Sequence, residues 1–173
     1  MSSLLITPYS AIEEVVRRYR PSHMLTLMVE PFVETPAAIE ATRHLRIGVH
    51  DIAEPAEGAV APCVDHISEI IAFAKGWDRA QPFLVHCWAG ISRSTAAAYI
   101  MMCDIQGSGK EAEIARDLRF RAPHAHPNRL MIRHADALMG REGRMIAAVE
   151  AMGAGRPVWQ GEIVELPLKM DNP

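Results

Sequence analysis

Cysteine is scarce in this sequence, and the three residues present, Cys63, Cys87 and Cys103, form no C-x-x-C pair. An odd number without paired spacing argues against a disulfide framework or a structural zinc site, and fits a reducing compartment. Long apolar runs are missing too. None approaches the roughly 18 residues needed to cross a bilayer. The first ten residues, MSSLLITPYS, carry no positive charge and only three consecutive apolar side chains, so no secretory leader is expected. The expected location is the cytoplasm, without membrane contact. Charge of one sign is not concentrated anywhere: 18 Lys and Arg stand against 21 Asp and Glu, for a net charge of −3. That balance gives no electrostatic reason to expect nucleic acid as partner. There is no internal repeat, low-complexity tract or long linker, and 173 residues suit one domain with its own core.

What is present alternates. Leu4, Leu5 and Ile6 read as a short strand ended by Thr7 and Pro8. Ser10 with Glu13 suggests a capping box for a helix carrying Ile12, Val15, Val16 and Tyr19, stopped by Pro21. A second strand is expected over 23–29, a short helix over 36–43 and a third strand over 44–49. Val64, Ile67, Ile71 and Ala74 make an amphipathic helix, and residues 82–86, PFLVH, a buried strand. Residues 94–105 are apolar all round, which predicts a central buried helix. Further helices are expected near 110–121, 128–139 and 143–152. This pattern predicts a single α/β domain over 1–153, with a mostly parallel central sheet of about four or five strands flanked by helices. Residues 154–173 read as an extended tail, packed on the domain or on a partner subunit.

The decisive segment is PFLVHCWAGISRSTAAA, residues 82–98. A loop that leaves a strand and enters a helix can aim successive backbone N–H groups inward at the positive end of that helix, an anion nest. Gly90 lets such a loop curl tightly. Arg93 offers a planar fork matching two oxygens of a phosphate. Cys87 lies at the floor of the cup, where the same donors stabilise a thiolate. Arg93 at the start of an apolar helix is electrostatically disfavoured unless an anion binds beside it. A cysteine serving only as a small buried hydrophobe leaves that arginine unexplained.

His86, Cys87, the five residues Trp88, Ala89, Gly90, Ile91 and Ser92, then Arg93 and Ser94, resemble the HC-x5-R-[ST] motif of the protein tyrosine phosphatase superfamily. The form HC-x-A-G-x-S-R-S looks most like the dual-specificity branch, and the likeness extends over about residues 4–140. Pro127-Asn128 before an apolar helix resembles that branch's Pro-Asn element. The resemblance implies a cysteine-dependent phosphomonoester hydrolase that acts on phosphorylated proteins or small aryl phosphates and uses no metal or organic cofactor. Cys87 would be the nucleophile that forms a phosphocysteine. Arg93 and the backbone of 88–93 would bind the phosphoryl group. Ser94 would hydrogen-bond the departing thiolate, His86 would order the loop and tune the thiol, and Asn128 would buttress the loop.

The family's general acid is an Asp on a loop some thirty-odd residues before the cysteine. Asp51, directly after the third strand, holds that place, with Glu54 and Glu57 as rivals in the same loop. The Trp-Pro-Asp triplet of the wider superfamily is absent. Asp65 and Asp78 fall on or after the intervening helix and read as solvated. His124, His126 and His134 are spaced loosely enough to suggest a metal, but no Cys or carboxylate joins them, and a polar loop before a helix explains them better. A rhodanese-like sulfurtransferase is the rival enzyme, though its usual loop is one residue shorter. A pseudophosphatase that only captures phosphorylated ligands is the rival from another class.

Overall fold

Every side chain of Ser3–Pro8, His23–Leu27 and Phe83–Cys87 is buried. Strands covered on both faces need not alternate polar and apolar residues, and these do not. In the computed structural model, which describes residues 2–168, they are β1, β2 and β4 of a five-stranded sheet. The other two are β3 (His44–Ile47) and β5 (Val164–Pro167), and the order is β3-β2-β4-β1-β5. β1 to β4 run parallel. β5 is antiparallel to β1, with Val164 opposite Ile6 and Pro167 opposite Ser3. The tail predicted from 154 therefore supplies an edge strand to the sheet, while Trp159 stands fully exposed. Its last residues, 169–173, lie outside the described residues.

The two faces are covered unequally. Leu5, Met24 and Leu84 form one small cluster with Ile12 and Val15 of α1 (Ile12–Tyr19) and with Met28, Val33 and Ile39. Leu4, Ile6, Leu25, Leu27, Phe83 and Val85 face the larger core with five helices: α2 (Val64–Lys75), α3 (Arg93–Gln106), α4 (Glu111–Arg121), α5 (Arg129–Leu138) and α6 (Arg144–Ala151). α3 is central. Each residue from Thr95 through Cys103 is 0% exposed, so this helix is packed on all sides. The alanines Ala96, Ala97 and Ala98 let it lie close to the sheet. No helix among the described residues is long and apolar enough to cross a membrane.

Two local expectations fail. The helix expected over 36–43 is only a 3-10 turn, Ala41–Arg43. A turn closed by the Ile39 N–H donating to the Pro36 carbonyl already buries Ile39, and β3 starts at His44, so a helix has no apolar face left to cover. The Ser10–Glu13 capping box does not form either. A 3-10 turn, Tyr9–Ala11, precedes α1, Ala11 takes the N-cap position, and no side chain caps it. That turn instead brings Tyr9 against Trp88.

Because α3 has no free side, a larger residue has nowhere to go. Ala97→Leu is expected to cost about 1–3 kcal/mol through overpacking. Urea unfolding followed by circular dichroism checks this, with the midpoint falling and the slope unchanged.

Candidate active site

β4 ends at Cys87 and α3 begins at Arg93, so five residues turn the chain from sheet into helix. Their carbonyls are held from outside. The Trp88 carbonyl accepts from the Tyr9 N–H at 3.0 Å, Ala89 from Gly161 at 2.8 Å, Ile91 from His126 at 2.9 Å and Ser92 from Asn128 at 3.2 Å. Thr95 Oγ1 also donates to the carbonyls of Ile91, at 2.5 Å, and Ser92, at 3.0 Å. In a planar trans peptide the N–H points opposite to the C=O. Each carbonyl drawn outward thus turns the next N–H, of Ala89, Gly90, Ser92 and Arg93, to the inner side of the loop. Among the described residues, the N–H groups of 88–92 donate to no protein acceptor. Gly90 makes the bend possible: its φ is +71°, and a Cβ there would lie 2.7 Å from the Pro8 nitrogen.

Cys87 is 2% exposed at the foot of this loop, with Sγ 3.3 Å from Ser94 Oγ. Arg93 is anchored by Nη1, which donates to the Val49 carbonyl at 2.8 Å. Its Nε is buried and has no protein partner among the described residues. An orphaned guanidinium N–H is costly to keep buried, and an oxyanion is the partner that would satisfy it. A cavity of about 430 Å³ opens above, lined by Met28, Val29, Glu30, His50, Asp51, Trp88 and Arg93. Trp88 is half exposed at its edge, stacked on Tyr9 with ring centroids 5.7 Å apart and planes at 11°.

Asp51 lines the same cavity. Its Oδ1 accepts from Ser92 Oγ at 2.6 Å and from Asn128 Nδ2 at 2.9 Å, and Oδ2 accepts from no protein group among the described residues. Asn128 works in four directions. Its Nδ2 also donates to the Ile52 carbonyl, its Oδ1 caps α5 by accepting from the N–H groups of Leu130 and Met131, and its own N–H holds Ser92. Glu54 and Glu57 are exposed and lie outside the cavity lining, and Asp65 and Asp78 are exposed as well.

His86 is fully buried beneath the loop. Its Nδ1 lies 3.3 Å from the Cys87 carbonyl and its Nε2 is 2.7 Å from Thr26 Oγ1, which is 2.7 Å from His44 Nε2 in turn. The row continues through His44 Nδ1 and Thr35 Oγ1, 2.9 Å apart, to Arg46 Nη2, which donates to Thr35 at 2.8 Å. Burial pushes His86 down to about 4, and burial, then Arg46, does the same to His44. Both rings are therefore neutral at pH 7. Each threonine has one hydroxyl proton, so one assignment satisfies the row: Arg46 donates to Thr35, Thr35 to His44, His44 to Thr26, Thr26 to His86, and His86 Nδ1–H to the Cys87 carbonyl.

A scan against protein-family models finds no match, and a search of curated proteins finds none. Solved structures do match. A crystal structure of DUSP15 aligns with TM-score 0.63 at 21% identity, covering 87% of this chain and 92% of that one. Human DUSP28 aligns at 0.64 with 18% identity, covering 83% and 94%. The Yvh1 phosphatase domain from Chaetomium thermophilum aligns at 0.56 with 21% identity, covering 82% and 93%. The chain has the dual-specificity phosphatase fold.

In this phosphatase fold the site lies at the carboxyl ends of the parallel strands. Tyr9 follows β1, Met28 follows β2, His50 lies beyond β3 and Trp88 follows β4. Cys87, Arg93, Ser94, Asp51 and Asn128 come together there. Sequence reasoning missed Tyr9, Thr26, His44 and Gly161. The rule that crevices form beyond the carboxyl ends of parallel strands could have flagged Tyr9; nothing in the sequence flags the others. His124, His126 and His134 do not converge, and among the described residues no three His, Cys, Asp or Glu side chains are grouped to hold a metal.

The two buried imidazoles of this row, His86 and His44, make stability depend on pH. Their folded pKa values lie below the unfolded value of about 6.5, so the unfolded chain binds more protons between about 4 and 6.5. Stability should fall as pH drops through that window and stay flat, from this source, above it. Thermal melts from pH 4 to 8 check this, and His44→Gln should lose less Tm over the window than the parent.

Proposed function

We propose that this chain is a cysteine-dependent phosphomonoester hydrolase of the protein tyrosine phosphatase type. The observation that supports it most is the buried Arg93 Nε, without a protein partner among the described residues, beside a loop whose N–H groups turn inward around Cys87. The fold shared with dual-specificity phosphatases agrees with this reading.

The chemistry runs in two steps. The Cys87 thiolate attacks phosphorus while Arg93 and the inward N–H groups hold the non-bridging oxygens. As the P–O bond to the leaving group breaks, Asp51 gives its proton to that oxygen, which leaves an alcohol and a phosphocysteine. Asp51, held by Ser92 and Asn128 through Oδ1, presents Oδ2 for this transfer. Water then attacks phosphorus, Asp51 takes its proton, and the S–P bond breaks to release phosphate. Ser94 Oγ–H donates to the thiolate as it departs. Among the described residues the cavity wall carries the guanidinium of Arg93 and the carboxylates of Glu30 and Asp51, which suits a single phosphate on a phosphoprotein or a small aryl ester.

Cys87→Ser is expected to abolish turnover yet keep phosphate binding, and Arg93→Lys to lose most turnover, because an ammonium cannot reproduce the fork. An aryl phosphate assay with phosphate titration checks both. Binding without turnover in the unmodified chain would favour a phospho-ligand module instead.

Asp51→Asn should lower kcat by roughly 10²–10⁴ on phenyl phosphate or a phosphopeptide. The loss should be smaller on an activated aryl ester, whose phenol leaves unaided. If Glu54→Gln or Glu57→Gln shows that leaving-group dependence and Asp51→Asn does not, the acid is misassigned.

A further inference from the structure

Among the four outside donors that hold the catalytic loop, one comes from an unexpected place. After α6 the chain runs back as a strap, 153–163, before joining the sheet as β5. The strap is fastened at its start: Arg119 Nη1 donates to the Pro123 and Ala125 carbonyls at 2.8 and 2.9 Å, Nη2 donates to Gly153 at 3.0 Å, and the Arg156 N–H donates to Pro123 at 2.8 Å. At its far end the Gly161 N–H donates to the Ala89 carbonyl at 2.8 Å. The approach is close enough that a Cβ on Gly161 would lie 2.5 Å from His124 Nε2 and 2.9 Å from the Gly90 carbonyl. His124 is 2% exposed. Its ring packs directly against Gly161.

We infer that Gly161 is a positioning residue of the anion cup: its N–H fixes the Ala89–Gly90 peptide so that the Gly90 N–H faces the phosphoryl group. This rests on the phosphatase reading above. Glycine is required there because the strap must touch both His124 and Gly90 with no side chain between. The peptide plane carries the effect, since fixing the Ala89 carbonyl outward fixes the Gly90 N–H inward. The segment after α6 is thus part of the catalytic loop's support and not an appendage.

The test replaces Gly161 by glycolic acid in the full chain, exchanging the N–H for an ester oxygen and adding no atoms. The same exchange at Gly153, whose N–H donates to the Glu150 carbonyl at 3.0 Å in the same strap, is the control. Inorganic phosphate is titrated calorimetrically, alongside kcat/KM and Tm. At Gly161 the phosphate Kd should rise about three- to tenfold, the range of one net hydrogen bond, with kcat/KM falling in step. At Gly153 the Tm should fall similarly while phosphate Kd stays within twofold. Gly161→Ala, made genetically, should weaken phosphate binding at least as much as the ester. A Gly161 ester that binds phosphate within twofold of the unmodified chain, or a Gly153 ester that weakens it equally, overturns the assignment. An unmodified chain that binds no phosphate brings down the phosphatase reading itself, and with it this one.

Discussion

Four peptide groups between β4 and α3 have one orientation because the carbonyls of Trp88, Ala89, Ile91 and Ser92 are already engaged. Four outward hydrogen bonds, from Tyr9, Gly161, His126 and Asn128, turn the N–H groups of Ala89, Gly90, Ser92 and Arg93 to the inner side. A buried N–H or C=O without a partner is expensive, so a loop whose carbonyls are satisfied and whose N–H groups are not is stable only if the surrounding structure enforces it. Here the enforcement is topological. β1 lies beside β4, which places Tyr9 against Trp88. The turn into α5 supplies His126 and Asn128, and the strap after α6 supplies Gly161. The sheet and helices matter to the site chiefly as carriers of these four donors.

The contiguous part of the site was legible before any coordinates. His86 to Ser94 concentrates a cysteine, a glycine bend, an arginine and a helix start in one stretch, and a pattern that local needs no tertiary information. Asp51 was singled out by the resemblance, which expects an Asp on a loop some thirty-odd residues before the cysteine, and it lines the same cavity as Arg93. The parallel sheet followed from alternation of strands and helices. What stayed hidden was carried by backbone atoms or by pairings across strands. A glycine N–H has no sequence signal, so Gly161 could not stand out. The row from Arg46 to His86 runs across β3, β2 and β4, and its register, Thr26 beside Arg46 and His86, follows only from strand order. Residues 36–43 misled for a related reason: burying Ile39 required only a turn, and periodicity does not reveal how much apolar surface needs covering.

Neutral His86 bears on how the site treats charge. A protonated histidine beside Cys87 would add a positive charge to the site. Burial denies that here, and the row of donors ending at the Cys87 carbonyl gives His86 a fixed tautomer without a net charge. The field at Cys87 then comes from one guanidinium, from the start of α3 and from the inward N–H groups. These are short-range sources, which on the proposed reading would suit one tetrahedral anion in contact with the loop. Farther out, Glu30 and Asp51 face the cavity, and among the described residues no Lys or Arg besides Arg93 lines it. A second phosphate on a ligand would leave the cup and meet carboxylates. On the proposed reading, this arrangement would favour ligands with a single phosphate over polyphosphorylated ones, because the positive charge stops at the cup.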